Sequence, residues 1–196
     1  MKIVVSACLL GDRVRYDGGA KLTAWIKKLE EDHALYKMCP EVAGGLPVPR
    51  DPAEIRGSSQ ILLKNSGPDM VGPAAGVGET ATGIQNSGVY TSSGQDVTGH
   101  FLKGAQDTLK FCLDHAIKVA VLKERSPSCG KSQVYDGSHS GRVIPGTGLT
   151  AELLSQHGIR VFTEEDRDEL LEYCKISEFQ TEDDQQADRN DTNNNI

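Results

Sequence analysis

No Cys-x-x-Cys pair occurs anywhere in this chain, although it carries five cysteines. That absence excludes a local zinc knuckle, a thioredoxin-like redox pair and ferredoxin-type cluster spacing, so any metal site must be assembled from distant segments. An odd cysteine count also argues against a fully paired disulfide framework and predicts reduced thiols. No apolar run approaches the roughly 20 residues that a bilayer-spanning helix needs, and no basic segment leads into a long hydrophobic stretch near the first residue. The expectation is a soluble, cytoplasmic protein with no membrane partner. Excess positive charge is missing as well. The formal net charge is −7, and residues 163 to 196 hold 12 acidic side chains against 3 basic ones, leaving 18 Lys and Arg against 16 Asp and Glu in residues 1 to 162. A near-neutral body lacks the basic stripe that phosphate contacts require, which argues against nucleic acid as a partner. There is neither a Walker loop nor a complete dinucleotide fingerprint.

What is present is a repeating order of short apolar runs and amphipathic stretches. With 196 residues, 37% of them hydrophobic, the chain can bury one core, which predicts one domain. Strands are predicted at 2–7, 34–38, 118–123 and 159–163, with a further short strand at Ile61 to Lys64. Helices are predicted at about 20–32, at about 99–116 after a Thr98 cap, from Thr150 through Gln156, and in an acidic stretch reaching about Cys174. Residues 39–60, with four prolines and several glycines, predict an ordered irregular loop. Strands separated by helices imply a mostly parallel sheet flanked by helices. The fold class is therefore α/β, a single compact three-layer domain over residues 1–174. A Gly/Ser/Thr-rich insertion at about 65–95 is expected as a mobile segment or loose hairpin able to cover a site. A disordered, polar and acidic tail is expected at 175–196.

Three cysteines follow predicted strands and sit where the backbone turns: Cys8 after Ile3-Val4-Val5, Cys39 after Ala34 to Met38, and Cys129 after Val119 to Leu122. In a parallel sheet all three thiols emerge at the carboxyl edge, where open α/β sheets bind ligands, and converging thiolates are a metal-site candidate. A structural thiol remains the competing reading for Cys8 taken alone. Glu41 in Cys39-Pro40-Glu41 is a candidate general acid or base, or else a helix-capping residue or a partner of Arg50. Ser126-Pro127-Ser128-Cys129-Gly130 surrounds one thiol with two hydroxyls, a rigid turn and a glycine, devices that tune a ligating sulfur. Cys112 falls on the apolar face of its helix and reads as core. The five histidines are scattered without ligand spacing, with His139 the one placed to line the site from the Cys129 side. The amides of Gly146 to Ala151 offer a weak signal for an anion or polar heterocycle.

Taken together, Ser6-Ala7-Cys8-Leu9-Leu10-Gly11, Val14-Arg15-Tyr16-Asp17-Gly18, Cys39-Pro40-Glu41, Gly44-Gly45-Leu46-Pro47, Gly104-Ala105, Ser126-Pro127-Ser128-Cys129-Gly130 and Tyr135-Asp136-Gly137 resemble the DUF523 family, which includes the thiouracil desulfurases. The resemblance runs in order from about residue 2 to 165. It implies a [4Fe-4S] cluster held by Cys8, Cys39 and Cys129, with one iron left open to the sulfur of a thiocarbonyl substrate. It further implies non-redox desulfuration of a thiolated nucleobase to the oxo form with release of sulfide. Glu41 would be the acid/base residue and Ser126 the active-site hydroxyl. Two other readings are a thiol-nucleophile or zinc hydrolase using Cys129 or Cys39 with Glu41, and a non-catalytic iron-sulfur sensor or scaffold. The first needs one essential cysteine, cluster ligation needs three. The oligomeric state is left open.

Overall fold

The structure, a computed structural model, describes residues 1–65 and 87–176. Its centre is a four-stranded sheet of β1 (Lys2–Ser6), β2 (Ala34–Met38), β5 (Val119–Leu122) and β8 (Arg160–Thr163), ordered β2-β1-β5-β8. All three pairings are parallel. Parallel strands covered on both faces are apolar at successive positions, and Val119 to Leu122 are buried without exception.

The period of two along each strand divides the core into two layers. Ile3 and Val5 of β1 and Val119 and Val121 of β5 face Ile26 of helix α1 (Ala24–Lys28), together with Leu170 and Cys174 of a helix at 167–176. Val4, Ala120 and Leu122 face the other way, onto Cys112 of helix α4 (Thr98–Asp114) and Leu154 of helix α5 (Leu149–Gln156). The chain is thus α/β with helices on both faces of a mostly parallel sheet, as expected, and Cys112 is a core residue.

Several local expectations are corrected. Ile61 to Lys64 is no strand but part of helix α3 (Ser59–Asn65), which buries Leu62 in a third apolar cluster with Phe101 and Leu149. Four apolar residues in a row do not distinguish the two periods, and here the tertiary contact decides. The predicted irregular stretch 39–60 contains helix α2 (Pro40–Ala43) and strand β3 (Ala53–Arg56). Strand β3 pairs antiparallel with β4 (Gly88–Thr91), so the end of the predicted insertion is a strand whose partner lies more than 30 residues earlier. An unpredicted hairpin joins β6 (Gln133–Tyr135) to β7 (Val143–Pro145). Thr98 is no side-chain cap of α4, since its hydroxyl accepts from the Val89 amide at 2.8 Å. The acidic helix continues to residue 176, two residues past its expected end. The lid expected in the insertion and the disordered tail fall on 66–86 and 177–196, outside the described residues.

Helices α2 and α4 touch backbone to backbone. A Cβ on Gly44 would lie 2.0 Å from the His100 carbonyl oxygen, and one on Gly104 would lie 2.0 Å from the Pro40 carbonyl oxygen. Only glycine permits this approach, which fixes α2, and with it Cys39 and Glu41, against the long helix. Gly104→Ala is expected to cost about 3 kcal/mol as an overpacked backbone contact and to lower the melting midpoint by about 10 °C, readable by calorimetry.

Candidate functional site

Each of the three motif cysteines lies at the carboxyl end of a parallel strand, on adjacent strands of the order β2-β1-β5. Cys8 sits in the single 3-10 turn Ala7–Leu10 that directly follows β1. Cys39 precedes α2, whose first residue Pro40 suits the first helical position, where no amide partner is needed. Cys129 lies in the turn after β5, and both it and Cys8 are buried. None of the three is in a disulfide.

Cys8 feels Cys39, and Cys129 feels both. Burial pushes the Cys8 thiol up to about 11, and the neighbouring Cys39 adds to this while Arg15 and Lys123 oppose it. Burial raises Cys39 as well, with Glu41 adding to it. Cys129 is raised by burial, against the lowering effect of the Ser6 hydroxyl, and its neighbours Cys39, Glu41 and Cys8 raise it further. Burial is thus the leading cause of the upward shift at all three thiols. Such thiols lose their protons readily only to a cationic group bound among them, and an all-sulfur donor set selects zinc or an iron-sulfur cluster. Among the described residues no three His, Cys, Asp or Glu side chains are grouped to grip a single ion. A cluster takes each cysteine on a different iron. An all-thiol donor set carried on three separate segments fits such a cluster.

Around the sulfurs stands a polar frame. Ser6, 2% exposed, accepts from the Lys123 amide at 3.0 Å and donates to Cys129 Sγ at 3.6 Å. Removing this hydroxyl leaves a buried amide unpaired, so Ser6→Ala is expected to destabilise the cluster-free protein by about 2 kcal/mol, measurable from its urea midpoint. Glu41 is gripped on both oxygens: Arg50 donates to Oε2 from Nε at 2.9 Å and Nη2 at 2.6 Å, and Ser126 donates to Oε1 at 3.2 Å. The Ser126 oxygen in turn accepts from the amides of Ser128 at 3.1 Å and Cys129 at 3.2 Å. The Ser126 proton therefore has one place to go, and Glu41 bridges the Cys39 and Cys129 segments. Arg50 also donates to the carbonyls of Val14 and Pro47, at 3.1 and 3.0 Å. The sequence alternative that Glu41 pairs with Arg50 holds together with its position beside the thiols.

The loop bearing Cys129 is held from two sides. Glu124, 2% exposed, accepts from the amides of Lys131, Ser132 and Gln133 at 3.2, 3.1 and 2.8 Å, folding the chain around Cys129. On the other side the amides of Gly148, Leu149, Thr150 and Ala151 donate to carbonyls of residues 127–130, at 2.8 to 3.2 Å. That corrects the expectation of an open amide nest at Gly146 to Ala151: several of its donors fasten the cysteine turn instead of a ligand. His139 is corrected too. Its amide and ring face Glu54 of β3, at 2.9 and 3.7 Å, so its polar contacts are with the hairpin and not with the thiols. Sequence reasoning missed Ser6 and Glu124 as supports; the signal available was a polar residue ending each of the two most apolar strands.

These features define a class: an α/β protein with three motif cysteines at the carboxyl edge of a parallel sheet. The chain belongs to the 2-thiouracil desulfurase family, whose model matches residues 3–166. It is 37% identical over 169 residues to the uncharacterized protein YbbK of Bacillus subtilis (strain 168), covering 86% of this chain and 99% of that protein. It also resembles the solved structure of the [4Fe-4S]-dependent thiouracil desulfidase TudS, with 40% identity and a TM-score of 0.71 over 89% of this chain and 98% of that one. No helix among the described residues is long and apolar enough to cross a membrane.

Proposed function

We propose that this protein is an enzyme that converts a thiouracil-type heterocycle to its oxo form with release of sulfide, using a [4Fe-4S] cluster held by Cys8, Cys39 and Cys129. Family membership and the likeness to a thiouracil desulfidase support the reaction. The observation that supports the ligand set is the arrival of three neighbouring thiols, two buried and one half-buried, at one sheet edge. When bound, a cluster with one iron not ligated by protein supplies a Lewis acid that prefers soft sulfur and polarises a C=S bond.

The chain's own part is water activation and proton handling. Water adds its oxygen to the ring carbon that bears sulfur, the C–S bond breaks, and both water protons leave with the sulfur as hydrogen sulfide. No electrons are exchanged. Glu41 takes the proton from the attacking water and returns it to the departing sulfur. Arg50, 7% exposed at its side chain, keeps the Glu41 carboxylate oriented from behind through Oε2. Ser126 steers Oε1 through its hydroxyl. The substrate is a small thiolated heterocycle, and the near-neutral charge of residues 1–162 gives no support for nucleic acid as a partner. Anaerobically reconstituted protein given 2-thiouracil is expected to form uracil and sulfide in equal amounts; cluster-loaded protein that forms neither overturns the proposal.

A further inference from the structure

Beside the Glu41–Arg50 pair, between the loop after α2 and the first turn of α4, lies a cavity of about 250 Å³. Glu41, Arg50 and the polar side chains of Asp51, Thr91 and Gln95 line it together with the apolar Leu46, Val97 and Phe101, and His100 is among its lining residues. A cavity below the roughly 300 Å³ at which drug-sized ligand sites begin suits a single small ring. Apolar walls with a few fixed polar groups match a planar heterocycle with apolar faces and a hydrogen-bonding edge. Arg50 is already engaged by Glu41 and by the carbonyls of Pro47 and Val14, so it has little capacity left for reading that edge.

His100 is differently placed. Its Nδ1 lies 2.8 Å from the Gly44 carbonyl oxygen, which only accepts, so Nδ1 carries the hydrogen. In the neutral ring Nε2 then holds a lone pair, and among the described residues it makes no protein hydrogen bond. The same contact holds the ring against the α2–α4 junction, where Gly44 and His100 meet backbone to backbone. An acceptor fixed in direction at the rim of a ring-sized cavity is a means of recognising a ring N–H.

We propose that this cavity seats the heterocycle of the substrate and that His100 Nε2 accepts a hydrogen bond from one of its ring N–H groups, making His100 a specificity-determining residue. The proposal rests on the desulfurase reading for the identity of the ring and goes beyond it in assigning the seat and the edge contact. Glu41 lines the seat, so a ring held there lies beside the acid/base residue.

The test is equilibrium binding of uracil, 1-methyluracil and 3-methyluracil to the reconstituted holoenzyme by calorimetry, for the wild type and His100→Ala. One of the two methyl derivatives is expected to bind the wild type about 3- to 10-fold more weakly than uracil, because methylation removes the donor that Nε2 would accept from, at a rim residue that is exposed in the free protein. In His100→Ala that discrimination is expected to vanish while uracil binding weakens. A merely structural role for His100 would weaken all three ligands alike. Equal binding of all three by the wild type, or unchanged discrimination in the variant, overturns the assignment; the wild-type comparison decides alone if the variant does not fold. Sulfide release from 2-thiouracil by the same holoenzyme separates the two claims. Uracil bound with His100-dependent discrimination but no sulfide fails the desulfurase reading alone, and sulfide without such discrimination fails the cavity assignment alone.

Discussion

Changing any one of Cys8, Cys39 or Cys129 to alanine is expected to abolish turnover and to reduce the iron retained after anaerobic reconstitution from about four per chain to well under one. The expectation is all-or-none because each thiol sits at the end of a different strand, so no fourth cysteine can slide into a vacated place. Cys112 lies between helix α4 and the sheet, and Cys174 packs with the cluster of Ile3 and Leu170, both within the core. Cys112→Ala is therefore the matched control, expected to cost about 1 to 2 kcal/mol for a small core truncation and to keep full iron and full turnover. Iron counting with the absorbance near roughly 400 nm reads the result. Three variants that all load iron as the wild type does would remove the three-thiolate centre. A single variant that loses activity while keeping its iron would point to a nucleophile.

The second large effect falls on Glu41. Glu41→Gln keeps the size and the hydrogen-bonding reach of the side chain and removes its basicity, so kcat should fall by about 10² to 10⁴ with iron content unchanged. Stability is also expected to fall, because Arg50 is 7% exposed at its side chain and loses its only described carboxylate partner; a buried cation left unpaired costs about 3 kcal/mol or more. Melting curves taken with the kinetics separate the two effects, since an enzyme still folded at the assay temperature shows the catalytic loss alone. Ser126→Ala is expected to act more mildly on kcat, and it leaves the Ser128 and Cys129 amides without their acceptor. Full turnover in Glu41→Gln would sink the acid/base role and favour a water activated without side-chain help.

The chemistry-bearing residues were legible along the chain because their signals are local. An apolar run, then a cysteine, then a proline or glycine announces a thiol at a strand end whatever lies elsewhere, and the helical spacing of Leu102, Ala105, Leu109 and Cys112 announces a helix face. The short strands β3 and β4 were not legible, because each has four residues and becomes a strand only when Ala53 meets Thr91 and Arg56 meets Gly88. Helix α3 was misread for the same reason: Leu62 is buried by Phe101 and Leu149, which arrive from far along the chain. The glycine-rich start of α5 showed free amides in sequence and occupied ones in space, since residues 127–130 use them.

By itself the sequence determined the inventory: three thiols placed at strand ends, a carboxylate two residues beyond one of them, a hydroxyl three residues before another, and a mostly parallel sheet to carry them. Only the tertiary structure decided that these meet. The order β2-β1-β5 sets the thiols on neighbouring strands, Ser126 reaches Glu41 across 85 residues, and the Gly44–Gly104 contact locks α2 in place. The physical reason is that backbone preference and apolar period act over a few residues, whereas a site is made by side chains whose separation is set by how the strands are ordered and how closely two helices can approach.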